Sequence, residues 1–237
     1  MPGAIPYEIY PCGDHAITVS WGNRIDHAIN QKAVLFGRQL KQLAVRGIRD
    51  IIPAYASVTI VYDLGLLVKE KNQKTVYASM VDLVHNLLEN NMEQIPDVAA
   101  LKQIPVCYDQ SFAPDLPLLA KLHEREIDEI IALHTGTVYR VFMTGFLPGF
   151  PYMGKLPAAI ASPRKESPRA FVPAGSVGIA GEQTGIYPVD SPGGWQIIGR
   201  TPVRLFDKEK INPCFLAAGD EVQFYPISLK EYHQFKQ

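Results

Sequence analysis

Cysteine, net charge and long apolar runs are all scarce in this chain, and each scarcity argues against a class of function. Three cysteines, Cys12, Cys107 and Cys214, stand in 237 residues. So sparse and odd a set, without metal-ligand spacing, argues against a disulfide framework and against a zinc site. The formal net charge is -1, so no basic excess exists to neutralise phosphates, and nucleic acid is not an expected partner. No run of about 18 apolar residues occurs, so no membrane span is predicted. The opening MPGAIPYEIYP lacks a charged stretch followed by an apolar one, so no secretory leader is expected and the reducing cytoplasm is the expected compartment. The strings G-x-S-x-G, H-E-x-x-H and C-x-x-C are missing too, and with them the commonest hydrolase, zinc-protease and dithiol signatures.

What is present is a globular composition, 47% hydrophobic and 20% charged, long enough for one large domain or two small ones. The two halves differ in pattern. In the first, AITVSW (Ala16–Trp21) reads as a strand and Asp26 as the N-cap of a helix. Ile29, Ala33, Phe36, Leu40 and Leu43 recur at three and four residues, marking one buried face, and Gly47 is a natural stop. Extended runs at Ile48–Ala54 and Ser57–Tyr62 precede a second helix over Asn72–Glu89, striped by Val76, Met80, Leu83, Val84 and Leu87. A polar connection, Glu89–Asp97, and a strand near Val98–Ile104 would complete β-α-β-β-α-β, the ferredoxin-like split pattern. The expected fold is therefore α+β, with a ferredoxin-like domain over 1–103 and a second domain over 104–237. That second part opens with short helices near Asp115–His123 and Glu126–His134. It then turns rich in Gly, Pro and β-branched residues, with many short strands suited to a closed barrel or a sandwich.

Four segments carry candidate chemistry. TGFLPGFPYMG (Thr144–Gly154) alternates Pro and Gly with aromatics, so its shape is specified. Phe146, Phe150 and Tyr152 either line a ligand cleft or close the barrel. The string GFPYMGK (Gly149–Lys155) matches G-x-x-x-x-G-K by chance: Leu156 replaces the hydroxyl that would bind magnesium, and Pro157 and Pro163 oppose the helix that should follow. SPRKESPRAFVPAGSVGIAG (Ser162–Gly181) holds Arg164 and Arg169, each after a proline. A guanidinium fork suits carboxylate or phosphate, although most arginines are solvated surface residues. The turn around Ser176 either offers backbone amides to an anion or simply joins two strands. QTGIYPVDSPGGWQIIGRTP (Gln183–Pro202) places Gln183, Tyr187 and Gln196 near Trp195, as hydrogen-bonding groups beside an aromatic wall or as a turn and core. His134 falls on the apolar stripe Ile127, Ile130, Ile131 of a helix, at its C-terminal end. It is either a satisfied core histidine or a general acid or base.

Together these strings resemble the allophanate hydrolase subunit 1 family, which includes the sporulation kinase inhibitor KipI and the B subunit of 5-oxoprolinase. The resemblance rests on His134 followed by Tyr139-Arg-Val, then GFLPGFPYMG, PRKESPRAFVPAGSVGIAG, TGIYPVDSPGGWQIIGRTP and GDEVQFYPI. YDQSFAPDL (Tyr108–Leu116) is similar to the family's opening of its second domain, with Ala113 in place of the usual glycine. It covers nearly the whole chain and is strongest over Cys107–Ile227. It implies a cyclophilin-like β-barrel for the second half. It also implies partnership with the C subunit of 5-oxoprolinase, which is allophanate hydrolase subunit 2-like, and with the A subunit. Together such subunits open 5-oxoproline to L-glutamate with ATP, magnesium-bound and held with the partner subunits; the nucleotide-contacting residues of this chain stay unassigned and no metal site is expected in it. His134 and Arg169 are then candidate catalytic residues. Arg164, Phe146, Phe150, Tyr152, Ser176, Gln183, Tyr187 and Trp195 are candidate substrate-binding residues. An alternative implied role is inhibition of a sensor histidine kinase by docking.

Overall fold

A computed structural model describes residues 5–69, 75–90 and 101–235. The chain divides into two compact units, Met1–Val98 and Ala99–Gln237. No described helix is long and apolar enough to cross a membrane.

The first unit runs β1 (Glu8–Pro11), β2 (Ala16–Ser20), α1 (His27–Leu43), β3 (Ile48–Pro53), β4 (Ser57–Tyr62), α2 (Leu64–Lys69) and α3 (Val76–Asn90). Asp26 caps α1, its carboxylate accepting the Ile29 amide at 3.0 Å, and so satisfies one of the orphan donors of the first turn. The helix ends earlier than Gly47. Ala44 takes the left-handed conformation at φ 45°, and Leu43, expected on the apolar stripe, is 49% exposed. The rest of the stripe holds: Ile29, Ala33, Phe36 and Leu40 pack with Val58 and Ile60 of the sheet and with Met80 and Val84 of α3. In β4 burial alternates residue by residue, as a strand covered on one face requires. The buried Asn30 donates to Ala54 O and Tyr55 O at 3.2 Å each, pinning α1 to the β3–β4 turn.

The sheet order is β1-β2-β4-β3, antiparallel throughout. β2-α1-β3 with β4 inserted between its strands is the split βαβ expected from sequence. The ferredoxin-like six-element pattern, however, is not completed as predicted. Its last strand, expected at 98–104, falls partly outside the described residues, and the described part is a barrel strand of the second unit. The edge place beside β2 is filled instead by β1, a four-residue strand too short and proline-bounded to show in the pattern. The helix expected from Asn72 is described from Val76; 72–74, 91–97 and 98–100 lie outside the described residues.

The second unit comprises β5 (Leu101–Cys107), α4 (Leu116–Leu122), α5 (Ile127–Thr135), β6 (Val138–Thr144), β7 (Pro151–Gly154), a 3-10 turn at Ala158–Ile160, β8 (Arg169–Val172), β9 (Ser176–Ala180), β10 (Gln183–Ile186), β11 (Ser191–Gly193), β12 (Gln196–Arg200), β13 (Glu221–Ile227) and α6 (Leu229–Gln234). Seven strands close a barrel in the order β10-β7-β6-β13-β5-β12-β9, and β8 and β11 form a separate two-stranded ribbon. The seam is β5 with β13, paired in parallel over seven residues from Leu101↔Glu221 to Cys107↔Ile227. Ile104, Val106, Tyr139, Val141, Ile179 and Phe224 fill the interior; each such side chain contributes roughly 1.5–3 kcal/mol by leaving water. GFPYMGK is not a phosphate loop. Its Pro151–Gly154 is strand β7, and a single 3-10 turn is all the helix that follows.

Gly175 holds the corner between β8 and β9 at φ +82°, where a Cβ would overlap the Thr201 carbonyl. Its own amide donates to Tyr187 O at 2.7 Å. Gly175→Ala is therefore expected to destabilise the barrel by about 2 kcal/mol or more, read as a lower denaturant midpoint; an unchanged midpoint would refute this account of the corner.

Candidate functional site

The aromatic loop and the Pro-Gly-Gly-Trp turn meet on one side of the barrel, around a cavity of about 410 Å³. Its centre is Phe150, 1% exposed. Phe150 meets Tyr152, Tyr187 and Trp195 edge-on, with ring centroids 4.9, 5.2 and 5.4 Å away. Edge-to-face contact sets the positive ring edge against a negative ring face, so four aromatics interlock without sliding. Phe146 adds a fifth ring at 5.7 Å but is 63% exposed, standing at the mouth. The loop that carries it is tightly wound: Gly145 N donates to Phe150 O at 3.1 Å, and Phe150 N to Leu147 O at 3.0 Å. Phe146 itself sits at φ 68°, an uncommon backbone region for an aromatic residue. Gly193 leaves room for the Tyr187 phenol, which a Cβ there would overlap.

Charge reaches the cavity from one segment. Arg164 and Lys165 line it, the Arg164 guanidinium lying 6.0 Å above the Trp195 ring, within cation–π range. Burial pushes the Tyr187 phenol above its ordinary value, opposed by a hydrogen bond with the Trp195 backbone and by the charges of Arg164 and Arg169. The site thus joins flat apolar walls with two cations, the chemistry that takes a small planar anion. No group of described His, Cys, Asp or Glu side chains is arranged to hold a metal ion.

Of the residues picked out in sequence, Phe146, Phe150, Tyr152, Arg164, Tyr187 and Trp195 come together here. The others do not line the cavity. Ser176 is buried at the start of β9 and Gln183 starts β10. Arg169 stands behind the wall, its guanidinium bonded to the Asp115 carboxylate and, at 3.5 Å, to Trp195 O. Lys165 and Gly193 line the cavity and Asp115 stands behind it, bonded to Arg169 and Lys165; none of the three was singled out. Asp115 reads in sequence as an ordinary helix cap, and Lys165 sits between two more conspicuous Pro-Arg pairs.

His134 is fully buried in the barrel interior, stacked on Phe224 at 4.6 Å. Thr184 donates to Gly178 O at 3.1 Å, so its oxygen accepts from His134 Nε2–H at 3.0 Å. Nδ1 is then the acceptor for the Tyr108 hydroxyl at 2.8 Å. Burial lowers the imidazole pKa from 6.5 to about 3 and raises that of the Tyr108 phenol, so both stay neutral and this relay of protons is fixed. In this geometry the histidine orders the core, buried away from solvent and absent from the cavity lining; the proton-transfer role gains no support from it.

With the geometry in place, comparison with known proteins gives the class. The chain belongs to the family of the carboxyltransferase domain, subdomain C and D, whose profile matches residues 7–216. Within it, the chain is similar to the B subunit of 5-oxoprolinase from Bacillus subtilis (strain 168), 40% identical over 98% of both chains. A conserved uncharacterized protein from Pyrococcus horikoshii of solved structure is 37% identical with a TM-score of 0.55, over 95% of this chain and 100% of that one. The Kluyveromyces lactis urea carboxylase shares the fold, with a TM-score of 0.72 at 19% identity over 96% of this chain and 22% of that one.

The histidine has a stability signature. Its folded-state pKa lies below the unfolded value of 6.5, so the unfolded chain takes up this proton first as pH falls. The contribution of this histidine to stability is full well above pH 6.5 and shrinks as pH falls toward 3, by about 2 kcal/mol at pH 5. His134→Gln, with no proton to gain, is expected to lower stability overall yet flatten its decline between pH 6.5 and 5 in chemical-denaturation curves; an unflattened decline would place the acid sensitivity elsewhere.

Proposed function

We propose that the chain is the B subunit of an ATP-dependent 5-oxoprolinase, working with the A and C subunits on the ring opening of 5-oxoproline to L-glutamate in the cytosol. The observation that carries this reading is the aromatic cavity with Arg164 and Lys165 at its edge. 5-Oxoproline is a flat five-membered lactam bearing one carboxylate. The ring fits against Trp195 and Tyr187, and the carboxylate meets the two cations, each charge-assisted bond being shorter and stronger than a neutral one. Similarity to a 5-oxoprolinase B subunit over almost the full length of both chains supports the same substrate.

The lactam is stabilised by amide resonance and recloses readily, so opening it needs coupling to ATP. Transfer of the γ-phosphoryl group to the lactam oxygen gives an activated ring carbon. Water then adds at that carbon and the C–N bond breaks as the nitrogen gains a proton, leaving the acyl phosphate of glutamate, which a second water hydrolyses to glutamate and phosphate. Phosphoryl transfer asks of a protein chiefly position and compensating charge. This chain supplies carboxylate anchoring by Arg164 and Lys165 and a dry aromatic wall around the activated ring. ATP is assigned to the assembled enzyme: Pro151–Gly154 within GFPYMGK is a strand, so that string offers no phosphate loop. Partner subunits are expected because the relatives are named as one subunit of an enzyme.

The decisive assay is ATP-dependent glutamate release from 5-oxoproline by the three subunits together, with this chain omitted as control. Release that requires this chain is expected; equal release without it would remove the reading. Arg164→Ala is expected to raise KM for 5-oxoproline by roughly 10- to 100-fold, the equivalent of one charge-assisted hydrogen bond, with a smaller change in kcat.

A further inference from the structure

Both cations of the cavity sit on a stretch, Pro163–Pro168, that has no regular secondary structure. A flexible cationic side chain orients a substrate only if its backbone is held. Four contacts hold this stretch and Arg169, which follows it, and a single buried carboxylate makes two of them. The Asp115 side chain is 5% exposed. Its Oδ1 accepts from Arg169 Nη2 and, at 3.4 Å, from Lys165 Nζ. Its Oδ2 accepts the Ile197 amide at 2.6 Å, and the Asp115 amide returns a bond to Ile197 O at 3.1 Å. Lys165 N donates to Gly194 O at 2.8 Å, and Gln196 Nε2 to Pro163 O at 3.1 Å. Asp115 precedes α4 yet makes no side-chain bond to that helix, as an N-cap would. Its carboxylate is spent on β12 and on the cationic segment instead.

We propose that Asp115 is a positioning residue: it clamps the segment 163–169 to the start of β12, so that Arg164 and Lys165 face the anionic group of the cavity's ligand. Arg169 is the segment's anchor in this clamp rather than a group on the substrate. One carboxylate shared by two cations leaves net positive charge in this cluster, and of the two cations Lys165 is the one that lines the cavity. The role in turnover rests on the cavity being the 5-oxoproline site; the clamp itself does not.

Tryptic cleavage after Arg164 and Lys165 reads the segment without any substrate, because cleavage reports local opening. Asp115→Asn is expected to speed cleavage at these two bonds at least about tenfold while far-UV circular dichroism stays native, and to raise KM for 5-oxoproline roughly tenfold in the three-subunit enzyme with kcat little changed. If Asp115 acts through the segment, adding Asp115→Asn to Arg164→Ala raises KM little beyond Arg164→Ala alone. Unchanged cleavage, or fully additive losses in the double variant, would overturn the proposal. Should Asp115→Asn fail to fold, Arg169→Gln releases the segment while leaving the Asp115–Ile197 bonds in place, and the same outcomes decide. Faster cleavage in the variant, with no glutamate release even by the wild-type assembly, would uphold the clamp and reject 5-oxoproline as the ligand.

Discussion

The parallel pairing of β5 with β13 is the constraint on which the second unit depends. These strands come from opposite ends of that unit and run together over seven residues. Without that seam the seven strands would form an open sheet with β5 and β13 as its two exposed edges, the condition that closed barrels avoid. Closure sets the curvature that brings the β6–β7 loop beside the β11–β12 turn. It thereby gathers Phe150 with Tyr187 and Trp195, which follow it much later in the chain, into one interlocked wall. It also encloses the core position in which His134 sits.

Two polar groups inside this unit solve the same physical problem in different ways. His134 is buried as a neutral ring and passes its hydrogen-bonding capacity along Tyr108, Thr184 and Gly178, so no charge is stranded. Asp115 is buried with two cations and a backbone amide as partners. A carboxylate so placed would be costly alone, and a partner lost would leave it uncompensated. The first arrangement stabilises a core; the second fixes a surface segment that carries charge to a cavity. In sequence the histidine was open to a core or an acid–base reading, whereas the aspartate carried no functional signal.

The periodic parts of the sequence were legible. Helix α1 with its Asp26 cap, the alternation of β4 and the run of short strands after Val138 each follow from spacing that depends on neighbours three, four or two residues away. The ferredoxin-like completion was not legible as drawn. A strand at 101–107 carries the same local pattern whichever sheet it joins, and its partner, β13, lies far along the chain. The short strand β1 that takes the vacant edge shows too little pattern to be seen. Among site residues, the aromatics and Arg164 stood out because Pro and Gly frame them. Arg169, grouped with them by its Pro-Arg motif, turns away to a partner that no sequence spacing discloses.

By itself, then, the sequence determined the local periodic elements and the kinds of side chain, aromatic and basic, that its Pro- and Gly-framed segments carry. Those properties depend on backbone preference and on side-chain chemistry, which each residue carries wherever it is placed. The tertiary structure alone decided that β5 closes a barrel, that His134 is sealed in its core and that Asp115 holds Arg169 and Lys165. Each of these is a contact between distant segments, and only packing selects which buried group meets which partner.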